Sequence, residues 1–207
     1  MKKINIIYLL PEMKGASGGA KVIYNHSIKL NNLKKNISSS VIHLKKKFSY
    51  RIENSLSKKL NIFYKQDSGW NPNKMMVSRF FSPNKNWFNK ELNSKKELSL
   101  DKNRDFLIIP EIWSHFPEDL NLKKKGINYA IFIQGFYHMN STSNFKKLKA
   151  AYKNAKFILI SSDNNIKYFK EMFPEFKYKI LRINFSINNK KLKISKKTNT
   201  ITYMPRK

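Results

Sequence analysis

The chain has 207 residues, of which 41% are hydrophobic and 14% aromatic. This apolar content is enough for a core, so it excludes an intrinsically disordered protein, and the length fits one domain or one domain with an extension. A formal net charge of +29 suggests a polyanionic partner, either nucleic acid or an anionic membrane. However, the cations are 37 Lys and only 5 Arg, beside 25 Asn and 23 Ile, which is the joint excess expected from codons rich in adenine and thymine. Because Arg grips phosphate and guanine with two hydrogen bonds where Lys offers a point charge, we do not expect nucleic acid to be the partner.

The absence of cysteine excludes disulfides, thiolate metal sites and a thiol nucleophile, and it favours a reducing compartment such as the cytoplasm. The apolar run at 4–10 ends in Pro11-Glu12 without a small-residue cleavage site, so it predicts a strand and not a signal peptide. No run approaches the roughly 20 apolar residues of a membrane-spanning helix. We therefore predict a cytoplasmic protein, with peripheral contact at the inner face of the cytoplasmic membrane as an open alternative.

Short apolar runs alternate with segments of helical periodicity. This pattern predicts an α/β fold, a Rossmann-like three-layer domain with a mostly parallel sheet covered on both faces. The predicted strands lie at 4–10, 39–44, 106–113, 128–136, 156–160 and 179–187, and the predicted helices at 20–35, at 145–155 and from Ser162 to Pro174. The segment 45–105 is broken by Lys, Asn and Ser clusters and contains strand-like pieces at 61–65 and 75–81.

The chain divides into three parts by composition. We expect residues 1–187 to form the Rossmann-like domain and the polar, lysine-rich segment 188–200 to be an interdomain linker. The apolar residues that follow predict a new strand, so we expect 201–207 to begin a second domain that this sequence does not include.

The sharpest local signal is a glycine-rich loop between the first strand and the first helix. It holds Gly15, Gly18 and Gly19, three of the six glycines. Open α/β sheets bind ligands at the carboxyl ends of their strands, glycine lets a ligand approach the backbone, and the amides of a helix start attract phosphate. The spacing fits neither the dinucleotide fingerprint nor the P-loop. The loop is therefore a candidate ligand site, with a simple tight turn as the alternative.

Two further predicted strand ends carry polar groups. Gln134-Gly135 follows one strand, and Gln134 is expected to hydrogen-bond a sugar hydroxyl, while nearby His138 is a candidate acid or base or an ordinary loop residue. Glu111 follows Pro110 in another strand end and is expected to bind a hydroxyl. Trp113 either stacks on a sugar ring or belongs to the core.

Other polar groups are assigned structural roles. Ser161 and Ser162 are predicted to cap a helix. His26 and His43 have no metal-ligand spacing, so no metal site is predicted. The lysine runs are interpreted as solvated surface, with attraction to an anionic membrane as the alternative; they lie at 45–47, 123–125 and 146–147.

The glycine loop and the helix after it, Gly-Ala-Ser-Gly-Gly-Ala-Lys-Val-Ile-Tyr-Asn-His at 15–26, resemble the start of GT-B glycosyltransferases of the large retaining group 4 class. The segments 109–113, 132–137 and 155–162 look like later strand ends of the same amino-terminal domain, in the same order. The resemblance implies two Rossmann-like domains that face a cleft. The first domain mainly holds the acceptor, and the second holds the nucleotide-sugar donor.

The resemblance also implies roles for particular residues. Gly18 and Gly19 match the glycine pair that approaches the donor diphosphate or the acceptor, and Gly15 and Lys21 belong to the same substrate-binding segment. Gln134 stands at a strand end where many relatives carry histidine, so the family's histidine role does not pass to His138. The paired donor-binding glutamates of such enzymes lie in the second domain, and we therefore expect no sugar transfer by this chain alone.

These features lead to an expected function and a competing one. The first is the acceptor-side part of a glycosyltransferase in cell-surface polysaccharide biosynthesis, with a nucleotide-sugar co-substrate, a glycan or lipid-linked acceptor and no further cofactor. The alternative is a non-enzymatic basic α/β module that binds nucleic acid or an anionic membrane.

Overall fold

The structure, a computed structural model, describes residues 3–13, 15–33, 36–47, 72–135, 139 and 144–184. These residues form an α/β domain whose seven-stranded sheet lies between helices. The predicted Rossmann-like three-layer fold with a mostly parallel sheet is confirmed.

The sheet has the order β3-β2-β1-β4-β5-β6-β7, and every neighbouring pair is parallel except β2 and β3. The chain leaves β1 towards β2 and β3 and returns on the other side of β1 as β4. The gap between the carboxyl ends of β1 and β4 is thus the topological switch point, where open α/β sheets bind ligands. The strands are β1 Ile4–Pro11, β2 Ile37–Lys46, β3 Met75–Val77, β4 Asp105–Pro110, β5 Asn128–Ile133, β6 Phe157–Ile160 and β7 Ile180–Arg182.

Side-chain caps fix where the longer helices begin. The Ser17 hydroxyl accepts from the Ala20 N–H at 3.3 Å, and the Ser162 hydroxyl accepts from the Asn165 N–H at 3.3 Å, so the predicted cap at Ser162 is confirmed. The helices are α1 Gly18–Asn32, α2 Phe116–Asp119, α3 Phe145–Asn154 and α4 Asp163–Met172, and short 3-10 turns occupy Pro72–Lys74, Glu111–Trp113 and Pro174–Lys179.

Two apolar clusters cover the two faces of the sheet, because side chains alternate sides along each strand. On one face, Ile23 and Tyr24 of α1 pack in a cluster with residues such as Tyr8 and Val41. On the opposite face, helices α3 and α4 supply the aromatic core against β5 and β6, with members that include Tyr152, Phe169, Phe173, Ile131 and Ile158.

Several strand boundaries differ from the prediction because apolar residues continue past the last ladder hydrogen bond. β4 ends at Pro110, and the residues expected to extend it to 113 form a 3-10 turn. Trp113 is fully buried and stacks on Phe116 with ring centroids 4.9 Å apart. It is a core residue, so its alternative role of stacking on a sugar ring is wrong. β3 covers three residues, fewer than the predicted 75–81. β7 also covers three, and residues 185–187 of the predicted strand 179–187 lie outside the described residues.

Some predictions fall outside the described residues. They are the strand-like piece at 61–65, the linker at 188–200, the strand at 201–207 and His138. None of the helices in the described ranges combines the length and the apolarity that a membrane crossing requires.

Candidate substrate-binding site

Three strand ends bring four of the predicted site residues together at the switch point. The Gln134 Nε2 donates to the Gly19 carbonyl at 3.3 Å, which joins the end of β5 to the start of α1. The Gly135 N–H donates to the Glu111 Oε1 at 3.1 Å, which joins the end of β5 to the end of β4. We name these residues, Gly19, Glu111, Gln134 and Gly135, the switch-point cluster.

The absence of a side chain at Gly19 lets the Gln134 side chain lie against the helix backbone. A Cβ at Gly19 would stand 2.6 Å from the Gln134 Oε1, well inside van der Waals contact. A Cβ at Gly15 or Gly18 would meet nothing within 4 Å, so the backbone there borders open space. The glycines thus leave main-chain groups accessible beside Gln134.

The start of α1 favours an anion in this open space. The first turn of the helix contains no acidic residue, so no carboxylate offsets the positive end of the helix dipole. Lys21 lies exposed in the same turn and adds a positive charge. A phosphate group is therefore electrostatically suited to the loop.

Glu111 is the titratable group of the cluster. Glu111 is only 7% exposed, and this burial raises the pKa of its carboxyl group from 4.5 to about 7. Hydrogen bonds from backbone groups at Glu111, Gln134 and Gly135 oppose the rise. Near neutral pH the carboxyl group therefore exists in both protonation states. It can accept a proton or donate a hydrogen bond to a ligand hydroxyl.

Residues that the sequence analysis did not single out hold this cluster in place. The buried Asn165 donates through Nδ2 to the Gln134 carbonyl at 3.2 Å, and the Ser114 hydroxyl donates to the Glu111 carbonyl at 2.6 Å. The Tyr152 hydroxyl donates to the Met139 carbonyl at 3.1 Å, and its oxygen lies 3.3 Å from the Ser114 hydroxyl oxygen. Asn165 lies in the first turn of α4, where a polar residue is usually exposed, so the sequence does not indicate that it is buried. Its burial follows from the packing of α4 against the end of β5.

A second polar cluster lies at the carboxyl ends of β1 and β2. The Tyr24 hydroxyl and the His43 Nε2 are 2.8 Å apart, and the Ser78 hydroxyl donates to the Glu12 Oε2 at 2.6 Å. The Ser78 N–H donates to the His43 carbonyl at 2.8 Å, which connects the two pairs. Burial lowers the pKa of His43 from 6.5 to about 4, although the Glu12 carboxylate opposes the fall. We name Glu12, Tyr24, His43 and Ser78 the His43 cluster.

Another buried histidine, His115, is not a member of the switch-point cluster. His115 is buried and faces Asp119, with 3.8 Å between its Nε2 and the carboxylate. His138 lies outside the described residues, so its role as an acid or base stays a prediction. Among the described residues, no three His, Cys, Asp or Glu side chains are grouped to hold a metal ion.

The chain is thus a Rossmann-like α/β domain with a polar cluster at its switch point. No protein-family model matches the sequence, and no curated protein matches it either.

Proposed function

We propose that this chain is the acceptor-side domain of a GT-B glycosyltransferase that takes sugar from a nucleotide-sugar donor. The acceptor would be a glycan or a lipid-linked glycan of cell-surface polysaccharide synthesis. The observation that carries the proposal is the pair of hydrogen bonds at the switch point, from Gln134 to the Gly19 carbonyl and from the Gly135 N–H to Glu111. The sequence resemblance suggests the reaction class, and the polar cluster at the switch point supports a role in substrate binding.

The chemistry of the cluster suits a sugar ligand. Sugar hydroxyls both donate and accept hydrogen bonds, and the Gln134 carboxamide offers both kinds of partner. The Glu111 carboxyl group, whose pKa burial raises to about 7, can accept a hydrogen bond from a hydroxyl and take up its proton near neutral pH. The open backbone at Gly18 and the start of α1 would face a negatively charged phosphate of the substrate.

A binding experiment with the 207-residue chain tests this proposal. Isotopically labelled protein would be titrated with UDP-sugars, GDP-sugars and a series of oligosaccharides while the backbone amide resonances are followed by NMR. We expect a sugar ligand to shift the amides of Gly19 and Gly135 most, and Gln134→Ala to weaken its binding about fivefold, since one hydrogen-bonded group contributes about 1 kcal/mol.

The control is Asn103→Ala, which removes a carboxamide from an exposed site and should leave the affinity unchanged. Shifts confined to another surface, or equal affinities for the two variants, would show that the switch-point cluster is not the binding site. Binding of single-stranded RNA with a steep loss of affinity at high salt, without any sugar binding, would overturn the transferase assignment in favour of a basic module.

A further inference from the structure

A surface lined by residues outside the switch-point cluster carries the most exposed large apolar side chain of the described residues. Phe80 follows β3 in a turn and is 94% exposed. The base of this turn is fixed, because Ser78 bonds to His43 through its N–H and to Glu12 through its hydroxyl. Phe80 is therefore an aromatic side chain presented to solvent on an anchored turn.

Phe80 borders a groove of about 610 Å³ that combines an apolar floor with a cationic rim. The floor includes Phe81, Phe88 and Leu92. The rim carries four cations and a single carboxylate, Glu91; the cations are Arg79, Lys85, Lys90 and Lys96. We call this surface the Phe80 groove.

The groove is built into the domain and is not a loose loop surface. Phe88 is 5% exposed and packs on Tyr24 with ring centroids 4.9 Å apart, and Phe81 packs on His43 at 4.5 Å. The end of the segment is bonded to β2, since the Val41 N–H donates to the Asn93 carbonyl and the Lys95 N–H to the Val41 carbonyl, both at 2.9 Å. The rim and the floor are thus held against the sheet and α1.

The rim cations are available for an external partner. Across the described ranges, no carboxylate lies at ion-pair distance from any of the four. By contrast, two lysines elsewhere are paired. Lys147 forms an ion pair with Asp119, and the Lys149 Nζ lies 2.6 Å from the Glu175 Oε1. The described side chains therefore give this groove a net positive charge.

We propose that the Phe80 groove docks the domain on an anionic phospholipid bilayer, with Phe80 inserted among the lipid chains and the rim cations on the lipid phosphates. Aromatic side chains favour the bilayer interface, and basic residues at an anionic surface attract it by charge. Three of the four cations are Lys, which offers phosphate a point charge. Of the three phenylalanines that line the groove, Phe80 is exposed, Phe81 is half-buried and Phe88 is buried, whereas a single-stranded nucleic acid would need a row of exposed stacking rings. The surface does not depend on the transferase chemistry proposed above.

Vesicle binding by the 207-residue chain tests the proposal. The probes are vesicles of phosphatidylcholine alone and of an equimolar mixture with phosphatidylglycerol, and binding is measured by co-sedimentation. We expect binding to the anionic vesicles only. Phe80→Ser should weaken it at least about tenfold through the lost apolar insertion, and the double variant Lys85→Gln/Lys90→Gln about 30-fold through two lost charges.

Matched controls separate a specific surface from general charge. Tyr178→Ser removes another exposed aromatic residue, 77% exposed, and Lys123→Gln/Lys124→Gln removes the same charge from a lysine run. Both should bind vesicles as the wild type does. The proposal is overturned if the two double variants lose binding equally, if Phe80→Ser binds normally, or if the groove variants lose RNA binding and the wild type binds no vesicles.

The two proposals can fail separately. Phe80→Ser should keep the sugar-induced NMR shifts, and Gln134→Ala should keep vesicle binding. Circular dichroism spectra identical to the wild type confirm that each variant is folded, which the exposure of Phe80 leads us to expect.

Discussion

The switch-point cluster and the His43 cluster lie at the same edge of the sheet and each contains a buried group with a shifted pKa, yet only the first opens onto accessible backbone. Glu111 accepts a hydrogen bond from the Gly135 N–H and lies near a helix start where a Cβ at Gly18 would meet no atom within 4 Å. His43 is enclosed by aromatic rings, with Phe81 and Tyr24 at centroid distances of 4.5 and 5.7 Å. A shifted pKa therefore does not by itself mark a ligand site. The two clusters differ in access, because glycines leave the backbone open beside the first and aromatic rings enclose the second.

The two groups also shift in opposite directions, because burial disfavours whichever form is charged. This raises the pKa of the Glu111 acid to about 7 and lowers that of the His43 base to about 4. Between its unfolded and folded pKa values, Glu111 is protonated more in the folded state than in the unfolded state. For His43 the reverse holds, and the unfolded state is protonated more. Their contributions to the free energy of unfolding consequently have opposite slopes with pH, and the wild type carries their partly cancelling sum.

Glu111→Gln changes a member of the proposed binding cluster. It should also remove the pH-dependent contribution of Glu111 to the free energy of unfolding. The contribution of Glu111 is fully present below its unfolded pKa of 4.5 and is lost as the pH rises to about 7. Over that window the loss amounts to about 3 kcal/mol. Denaturant unfolding of Glu111→Gln across a pH series should lack this fall. Glu171→Gln, which changes an exposed carboxylate, should follow the wild type. A fall that persists in Glu111→Gln would mean that this carboxyl group titrates normally.

Replacing His43 by Gln should remove the opposite slope. Because the folded pKa is lowered, the stability that His43 contributes is present above 6.5 and is lost as the pH falls to about 4. The size is again about 3 kcal/mol. The same unfolding series should show His43→Gln less sensitive to acid than the wild type, so its stability declines more steeply with rising pH. If both variants changed the slope in the same sense, the contrast between the two clusters would be wrong.

The smallest effect on stability is expected for Gly19→Ala. Alanine favours a helix over glycine by up to about 1 kcal/mol, and the close contact is to the end of a flexible side chain, which can turn away. The unfolding free energy should stay within about 1 kcal/mol of the wild type. Sugar binding should nevertheless weaken, because Gln134 loses its position against the helix. Unchanged sugar affinity would indicate that the placement of Gln134 does not matter for the ligand.

Local chemistry made part of this arrangement predictable from the sequence. Pro110 closes β4, Ser162 caps α4 and the glycines open the start of α1, and each effect depends on the residue itself and its immediate neighbours. The parallel sheet then places Glu111 and Gln134 at the same edge. The site residues could therefore be predicted as neighbours without a structure.

Tertiary packing determined the features that the sequence did not disclose. Asn165 is buried only because α4 lies against the end of β5, and His43 pairs with Tyr24 only because α1 crosses β2. Trp113 follows a strand pattern but turns into the core after Pro110. Such contacts join residues distant in the chain, and periodicity carries no information about them.

The pairing of β1 with β4 has a consequence for synthesis on the ribosome. Asn5 of β1 donates through Nδ2 to the Asp105 carboxylate at 2.9 Å, a bond between residues 100 positions apart. At about 5 to 20 residues per second, the first strand waits roughly 5 to 20 seconds for this partner to be translated. During that interval one edge of an apolar strand has no neighbour, so the nascent chain is most vulnerable to aggregation before β4 emerges.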